Sequence, residues 1–286
     1  VRKDSNPPIE AQASDFESRV RATAAYGRAW FQKQWAQFRR EDFHSLNASQ
    51  KMLRILSNSP YSAPLRLEEG VQFVGFGSEQ YPFELLALDP PPLGLFVRGD
   101  FNLEGLRFSV VGSRKPVSYS LRVTRQCVRL WVDADFRIVS GGAFGIDAEA
   151  HRAAVDFGGK TWVVMGSGFH HLYPKAHEKL FEDVLRTGGA WISEYPPKTE
   201  PHARFFPERN RLIAGLGHAL FLAQAHQKSG SMITAKRALD LGRDIFVLRP
   251  PMGDLNFEGS QDLIQAGATA LSVPEDWAAF YRPSAD

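Results

Sequence analysis

Three short stretches of this sequence gather the residue types that hold phosphate. Gly112, Ser113 and Arg114 follow the apolar run RFSVV and precede a helix expected to start near Val117. Backbone N–H groups at such a corner, joined by a guanidinium, form a site for an anion. FFPERNRLIAGL puts Arg209, Asn210 and Arg211 at an expected helix start after Pro207. QKSGSMITAKRA puts Lys228, Ser229, Gly230 and Ser231 at another, after the apolar run HALFLA. Helix N-termini that carry cations, amides and hydroxyls suit a polyanion. Lys175, which follows Pro174, is a further phosphate partner. Two alternatives stay open: GSR as a plain strand-to-helix turn, and Arg209 and Arg211 as partners of structural carboxylates.

Other polar residues have plainer explanations. In SGGAFGIDAEAHRAA the glycines 141, 142 and 145 permit a tight loop, and Asp147 is placed to cap the following helix. His151 stands one helical turn further on, where it hydrogen-bonds to Asp147 or packs. His170, His171 and His177 in GSGFHHLYPKAH invite a metal, but no cysteine is near them, and adjacent loop histidines read as exposed polar residues. Phe205 and Phe206 read as core, with base stacking as the alternative. No GxxxxGK[ST] occurs and no GxGxxG follows a strand, so neither a nucleoside triphosphatase nor a dinucleotide cofactor is expected. Cys127 is the only cysteine, which excludes an internal disulfide and a CxxC metal or redox site, and its helix-like surroundings assign it to packing.

The elements that must position these residues follow from the apolar rhythm. From Arg107 onward the runs RFSVV, RIVS, TWVVM, AWIS, HALFLA, DIFVL and TALSV alternate with amphipathic stretches. That alternation predicts a parallel sheet with crossover helices, in which strands apolar at successive positions are buried on both faces. The expectation is an α/β protein with an extended Rossmann-like, doubly wound sheet, whose ligands bind at the carboxyl ends of the strands. Residues 1–64 read instead as a small helical domain, with Trp30, Phe31, Trp35 and Phe38 giving FESRVRATAAYGRAWFQKQWAQFRR an aromatic face. Residues 65–286 form the larger unit, which begins with the short apolar segments VQFVGF and LGLFV.

Composition narrows the class without choosing a partner. A hydrophobic fraction of 43% and a charged fraction of 23% over 286 residues belong to a folded globular protein. A net charge of +2 leaves room for a basic face opposed by acidic surface elsewhere, so the sum does not identify a nucleic-acid binder. No apolar run approaches the roughly 18 residues of a membrane span, and VRKDSNPPIE lacks a signal-peptide core. The expected location is the cytoplasm, away from membranes.

VGSRKPVSY, SGGAFGIDAEAHRAA, GSGFHHLYP, SEYPP, FPERNRLIAGL, SGSMITAKRALDLGRDIFVL and LIQAGA occur in an order and spacing that resemble the DNA-processing A (DprA/Smf) family. The resemblance runs from about Tyr81 to Ala270. It implies an extended Rossmann fold that binds single-stranded DNA, loads the RecA recombinase during natural transformation and forms homodimers. Carried over by motif, the DNA pocket falls on Ser113, Arg114, Lys175, Arg209 to Arg211 and Lys228 to Ser231. The chain departs from the family pattern at Ser120, at Pro250 and Pro251, and at His170 and His171. Only PEDWAAFYRPSAD follows the last expected strand, so the winged helix of some members is not expected.

Two other classes compete. Related Rossmann-like folds include phosphoribohydrolases that cleave nucleotides with a carboxylate near a PGGxGTxxE loop. Here SGSMITAKRA supplies Lys236 and Arg237 where a glutamate is needed, so no covalent chemistry is expected. The third class is a protein-interaction scaffold with a vestigial pocket.

Overall fold

The structure, a computed structural model of the chain, describes residues 9–40, 46–61, 66–251 and 254–280. Three helices come first: α1 (Ile9–Tyr26), α2 (Arg28–Arg40) and α3 (Ala48–Ser57). The stretch FESRVRATAAYGRAWFQKQWAQFRR is divided between α1 and α2 at Gly27. A Cβ there would run into the ring of Tyr61, so the close approach of that ring requires glycine. Helix α3 starts in a capping box, in which Asn47 and Gln50 each accept from the other's backbone N–H at 2.9 Å. Phe31 and Trp35 are buried as the aromatic pattern predicts, whereas the side chain of Phe38 lies outside the described residues.

Two strands then precede the alternating region, β1 (Val71–Gly75) and β2 (Gly94–Gly99). Next come β3 (Arg107–Val111), α4 (Ser118–Asp133), β4 (Arg137–Ser140), α5 (Ile146–Asp156), β5 (Thr161–Met165), α6 (Glu178–Arg186) and β6 (Ala190–Ser193). The chain continues through α7 (Phe205–Leu216), β7 (Ala219–Leu222), α8 (Gly230–Asp240), β8 (Asp244–Leu248), α9 (Glu258–Gln265), β9 (Thr269–Leu271) and α10 (Trp277–Phe280). All the strands belong to one sheet in the order β1-β2-β6-β5-β4-β3-β7-β8-β9. Pairing is parallel from β6 to β9, and β1 and β2 extend that edge antiparallel. The fold is α/β and doubly wound, and the seven strands expected from the apolar runs are all present.

Helices cover both faces, as central strands buried throughout require. On one face, Val20, Phe31, Met52 and Leu56 of the first three helices join a continuous core with Val74, Leu95, Val164, Leu212 and Leu220. On the other, Phe108 stacks on Trp131 at 4.1 Å within a cluster that holds Cys127, Ile146, Phe221 and Phe246. Cys127 is buried there and its thiol is pushed well above its ordinary range by burial, which suits packing and not nucleophilic chemistry.

The order fixes a topological switch point. Strand β3 pairs with β4 on one side and with β7 on the other, so the connections leaving β3 and β7 diverge and open a crevice at their carboxyl ends.

Candidate functional site

A cavity of about 390 Å³ occupies that crevice. Gly112, Ser113 and Arg114 form one wall after β3, Ala143 and Asp147 a second after β4, and Ser229, Gly230 and Ser231 a third after β7. Arg209 and Asn210 reach it from α7. Eight of the eleven residues singled out in the sequence therefore line one space. His226 and Thr234 line it as well; sequence reading does not select them, although His226 shares the strand-end loop with Lys228.

Hydrogen bonds join the walls to one another. Ile146 N–H donates to the Ser113 carbonyl at 3.2 Å, and Val117 N–H donates to the buried side chain of Gln224 at 3.0 Å. The Asn210 amide donates to the Gly230 carbonyl at 3.2 Å, which ties α7 to α8. Gly145 has φ 78, and a Cβ on it would collide with the Ser113 carbonyl, so only glycine lets this loop lie against the first wall. Ser229 caps α8, its hydroxyl accepting from Met232 N–H at 3.4 Å and lying 2.9 Å from the Ser231 hydroxyl.

The three residues of RNR part company. Helix α7 starts at Phe205, two residues before Pro207, because a proline in the first turn gives up an N–H that has no helical acceptor. Arg209 to Arg211 thus lie inside the helix, not at its start. Arg209 is buried, and its Nη1 donates to the Gly141 carbonyl at 2.6 Å and to that of Val164. Burial pulls its guanidinium down to about 10 against the attraction of Asp147. Arg211 points away from the cavity and pairs with Glu194. Asn210 alone of the three is partly exposed.

Asp147 is the carboxylate of the cavity. It lies inside the first turn of α5, whose N-cap is Gly145, so it does not cap in the expected way. Its oxygen instead accepts from Ala143 N–H at 3.4 Å. Desolvation pushes its carboxyl above the ordinary range, opposed by Arg209 and Arg114. His151 packs rather than bonding to Asp147, with Nδ1 2.8 Å from the Thr161 hydroxyl.

Two lysines lie outside the cavity. Lys175 lines a separate space of about 340 Å³ with Phe169, His170 and His171. It follows β5, which stands two strands from β3, and at about 4.8 Å per strand the sheet alone displaces it from the crevice. Lys228 borders an apolar hollow with Met232, Ile233, Leu239 and Leu263, which shares Ser229 with the cavity. Arg114, Lys175 and Lys228 are exposed and form no salt bridge with any described residue. Of the histidines, His170 Nε2 is 2.6 Å from Glu68, and His177 is buried with Nδ1 2.9 Å from the Gly142 carbonyl.

Chemically, the crevice offers the exposed guanidinium of Arg114, three serine hydroxyls and a capped helix start, with a further cation on either side. The chain is similar to known proteins over most of its length. The family model described as DNA recombination-mediator protein A matches residues 72–282. The DNA processing protein DprA of Bacillus subtilis (strain 168) is 37% identical over 211 residues, which is 73% of this chain and 71% of that protein. Protein Smf of Escherichia coli (strain K12) is 36% identical over 234 residues, 81% of this chain and 63% of the relative. The X-ray structure of DNA processing protein A from Streptococcus pneumoniae superposes with a TM-score of 0.73 at 27% identity, covering 94% of this chain and 98% of that one. A structure of DNA processing protein A from Helicobacter pylori, described as giving insight into a single-stranded DNA binding mode, superposes with a TM-score of 0.66 at 27% identity over 73% of this chain and 94% of that one.

Proposed function

Because the chain belongs to the DNA recombination-mediator protein A family, we propose that it binds single-stranded DNA in the cavity at the β3–β7 switch point and performs no covalent chemistry there. The observation that carries this reading is the disposition of the cations. Arg114, Lys175 and Lys228 are exposed without salt-bridge partners around one edge of the sheet, where a phosphate chain can reach each of them. Backbone and hydroxyl groups of Gly112, Ser113 and Ser229 to Ser231 supply donors between them. None of these groups reads a base edge, so binding is indifferent to sequence. A duplex, with its bases paired and its backbone stiff, follows such a loop-lined path less readily than a flexible strand.

Asp147 is the one group that favours an enzyme, being a buried carboxyl in a cleft with a raised pKa. Its bond to Ala143 N–H and its position against Arg209 give it a structural task, and Lys236 and Arg237 occupy the part of α8 where a nucleotide-cleaving glutamate is needed.

By family resemblance the protein loads the RecA recombinase onto DNA during natural transformation, and it acts as a homodimer. Ile233 and Leu239 on α8 are 43% and 60% exposed and line one apolar hollow with Met232 and Leu263, a surface suited to self-association. No helix among the described residues is long and apolar enough to cross a membrane, and the proposed setting is the cytoplasm.

The deciding experiment is a mobility-shift titration with single-stranded and duplex DNA of one sequence, run beside assays of nucleoside triphosphate and monophosphate turnover. Tighter binding of the single strand and no turnover are expected. Equal or weaker binding of the single strand, or a turnover lost in Asp147→Asn, overturns the reading.

A further inference from the structure

We propose that Phe144 is a platform on which an unstacked base of the bound strand lies, between the Arg114 cavity and Lys175. The proposal rests on the single-stranded DNA reading above and adds to it a contact with the base rather than with the backbone.

Phe144 is 47% exposed, whereas Phe181, which packs on the same His177, is buried. Phe144 stands between Ala143, which lines the cavity, and Gly145, whose backbone lies against Ser113 and Arg114. Its ring meets His177 edge-on, with centroids 4.8 Å apart and planes at 67°. His177 is itself buried, held by the Gly142 carbonyl at 2.9 Å and packed on Phe181. It closes the short 3₁₀ turn Lys175–His177 that carries Lys175. Phe144 thus touches the turn of one free cation while its own loop abuts the residue that bears the other. A strand whose phosphates reach both cations passes over this ring.

The chemistry of the contact follows from what each partner lacks. A single strand carries bases whose π-faces are open to water, and stacking one on an aromatic side chain is worth about 1–3 kcal/mol whatever the base. The ring of Phe144 is held against His177 in a T-shaped contact while nearly half of the residue remains in solvent, so little motion is lost when a base covers it. A base in a duplex is already stacked and paired and offers no free face. This site therefore adds discrimination against duplex that phosphate contacts do not supply.

The test compares wild type, Phe144→Ala and Phe144→Trp on a mixed-sequence single strand and on an abasic strand of equal length. Phe144→Ala is expected to weaken binding of the base-bearing strand by roughly 5- to 150-fold and to leave the abasic strand and the salt dependence unchanged. Phe144→Trp is expected to bind the base-bearing strand at least as tightly as wild type. Unchanged affinity of Phe144→Ala for the base-bearing strand overturns the proposal. An equal loss on both strands also overturns it, because that marks a structural role in the loop. If wild type binds neither strand, the single-stranded DNA reading falls and takes this proposal with it.

Discussion

Nη2 of Arg211 lies 2.7 Å from both carboxylate oxygens of Glu194, with both side chains buried beneath α7. Arg28 of α2 joins them, 3.3 Å from Glu194 and 3.0 Å from Glu208. The group ties the N-terminal helices to α7 and takes Arg211 out of contention for phosphate.

Removing one partner of such a pair strands a buried charge, which costs about 3–5 kcal/mol. Glu194→Ala and Arg211→Ala are each expected to lose stability of that order in urea unfolding. Folded Arg211→Ala is expected to retain the wild-type dependence of DNA affinity on salt. A variant of full stability with a flattened salt slope would place Arg211 on the DNA instead.

Arg114, Lys175 and Lys228 should behave in the opposite way. Each is exposed, so alanine at any of them leaves the fold intact. Each cation that neutralises a phosphate contributes about 0.7 to the slope of log affinity against log salt for a single strand. Single variants are expected to weaken binding to all sequences alike and to lower that slope by about 0.7 each. Because the three residues line different spaces, the losses in pairwise variants should add. Filter-binding titrations across a salt series measure this. An unchanged slope in Lys175→Ala would confine the strand to the side of the sheet near β3 and β7.

Acid should weaken the fold through His151. Burial, with repulsion from His177 and Arg209, lowers this imidazole from 6.5 in the free side chain to about 3. Between those values the unfolded chain holds a proton that the folded chain refuses, so folding stability falls as pH drops from 6.5 toward 3 and levels off above that window. The slope from this group is at most about 1.4 kcal/mol per pH unit. Urea unfolding of His151→Gln is expected to show a shallower loss of stability than wild type across this window. Identical slopes for the two proteins would mean that His151 takes up its proton in the folded state.

Much of the architecture is legible in local pattern. Short runs such as RFSVV and TWVVM, apolar at successive positions and closed by glycine, mark strands buried on both faces because no solvent-facing alternation interrupts them. GSR and SGS are legible for a related reason. A chain that turns from a strand into a helix exposes N–H groups, and small or hydroxylated residues there leave those groups open to a ligand. These are properties of a few consecutive residues. The spacing of VQFVGF and LGLFV, in contrast, does not reveal that both strands extend the same sheet antiparallel beside β6.

Which cations meet was decided at longer range. Consecutive helical residues point about 100° apart, and that rotation carries Arg209 under the glycine loop, Asn210 to the cavity and Arg211 to Glu194. No motif distinguishes them, because their roles depend on what packs around α7. Lys175 looks equivalent to Arg114 in sequence, since both follow an apolar run, yet the order that inserts β4 between β3 and β5 holds them apart. Strand formation depends on neighbours in the chain, whereas the meeting of charges depends on strand order, which only the packed sheet settles.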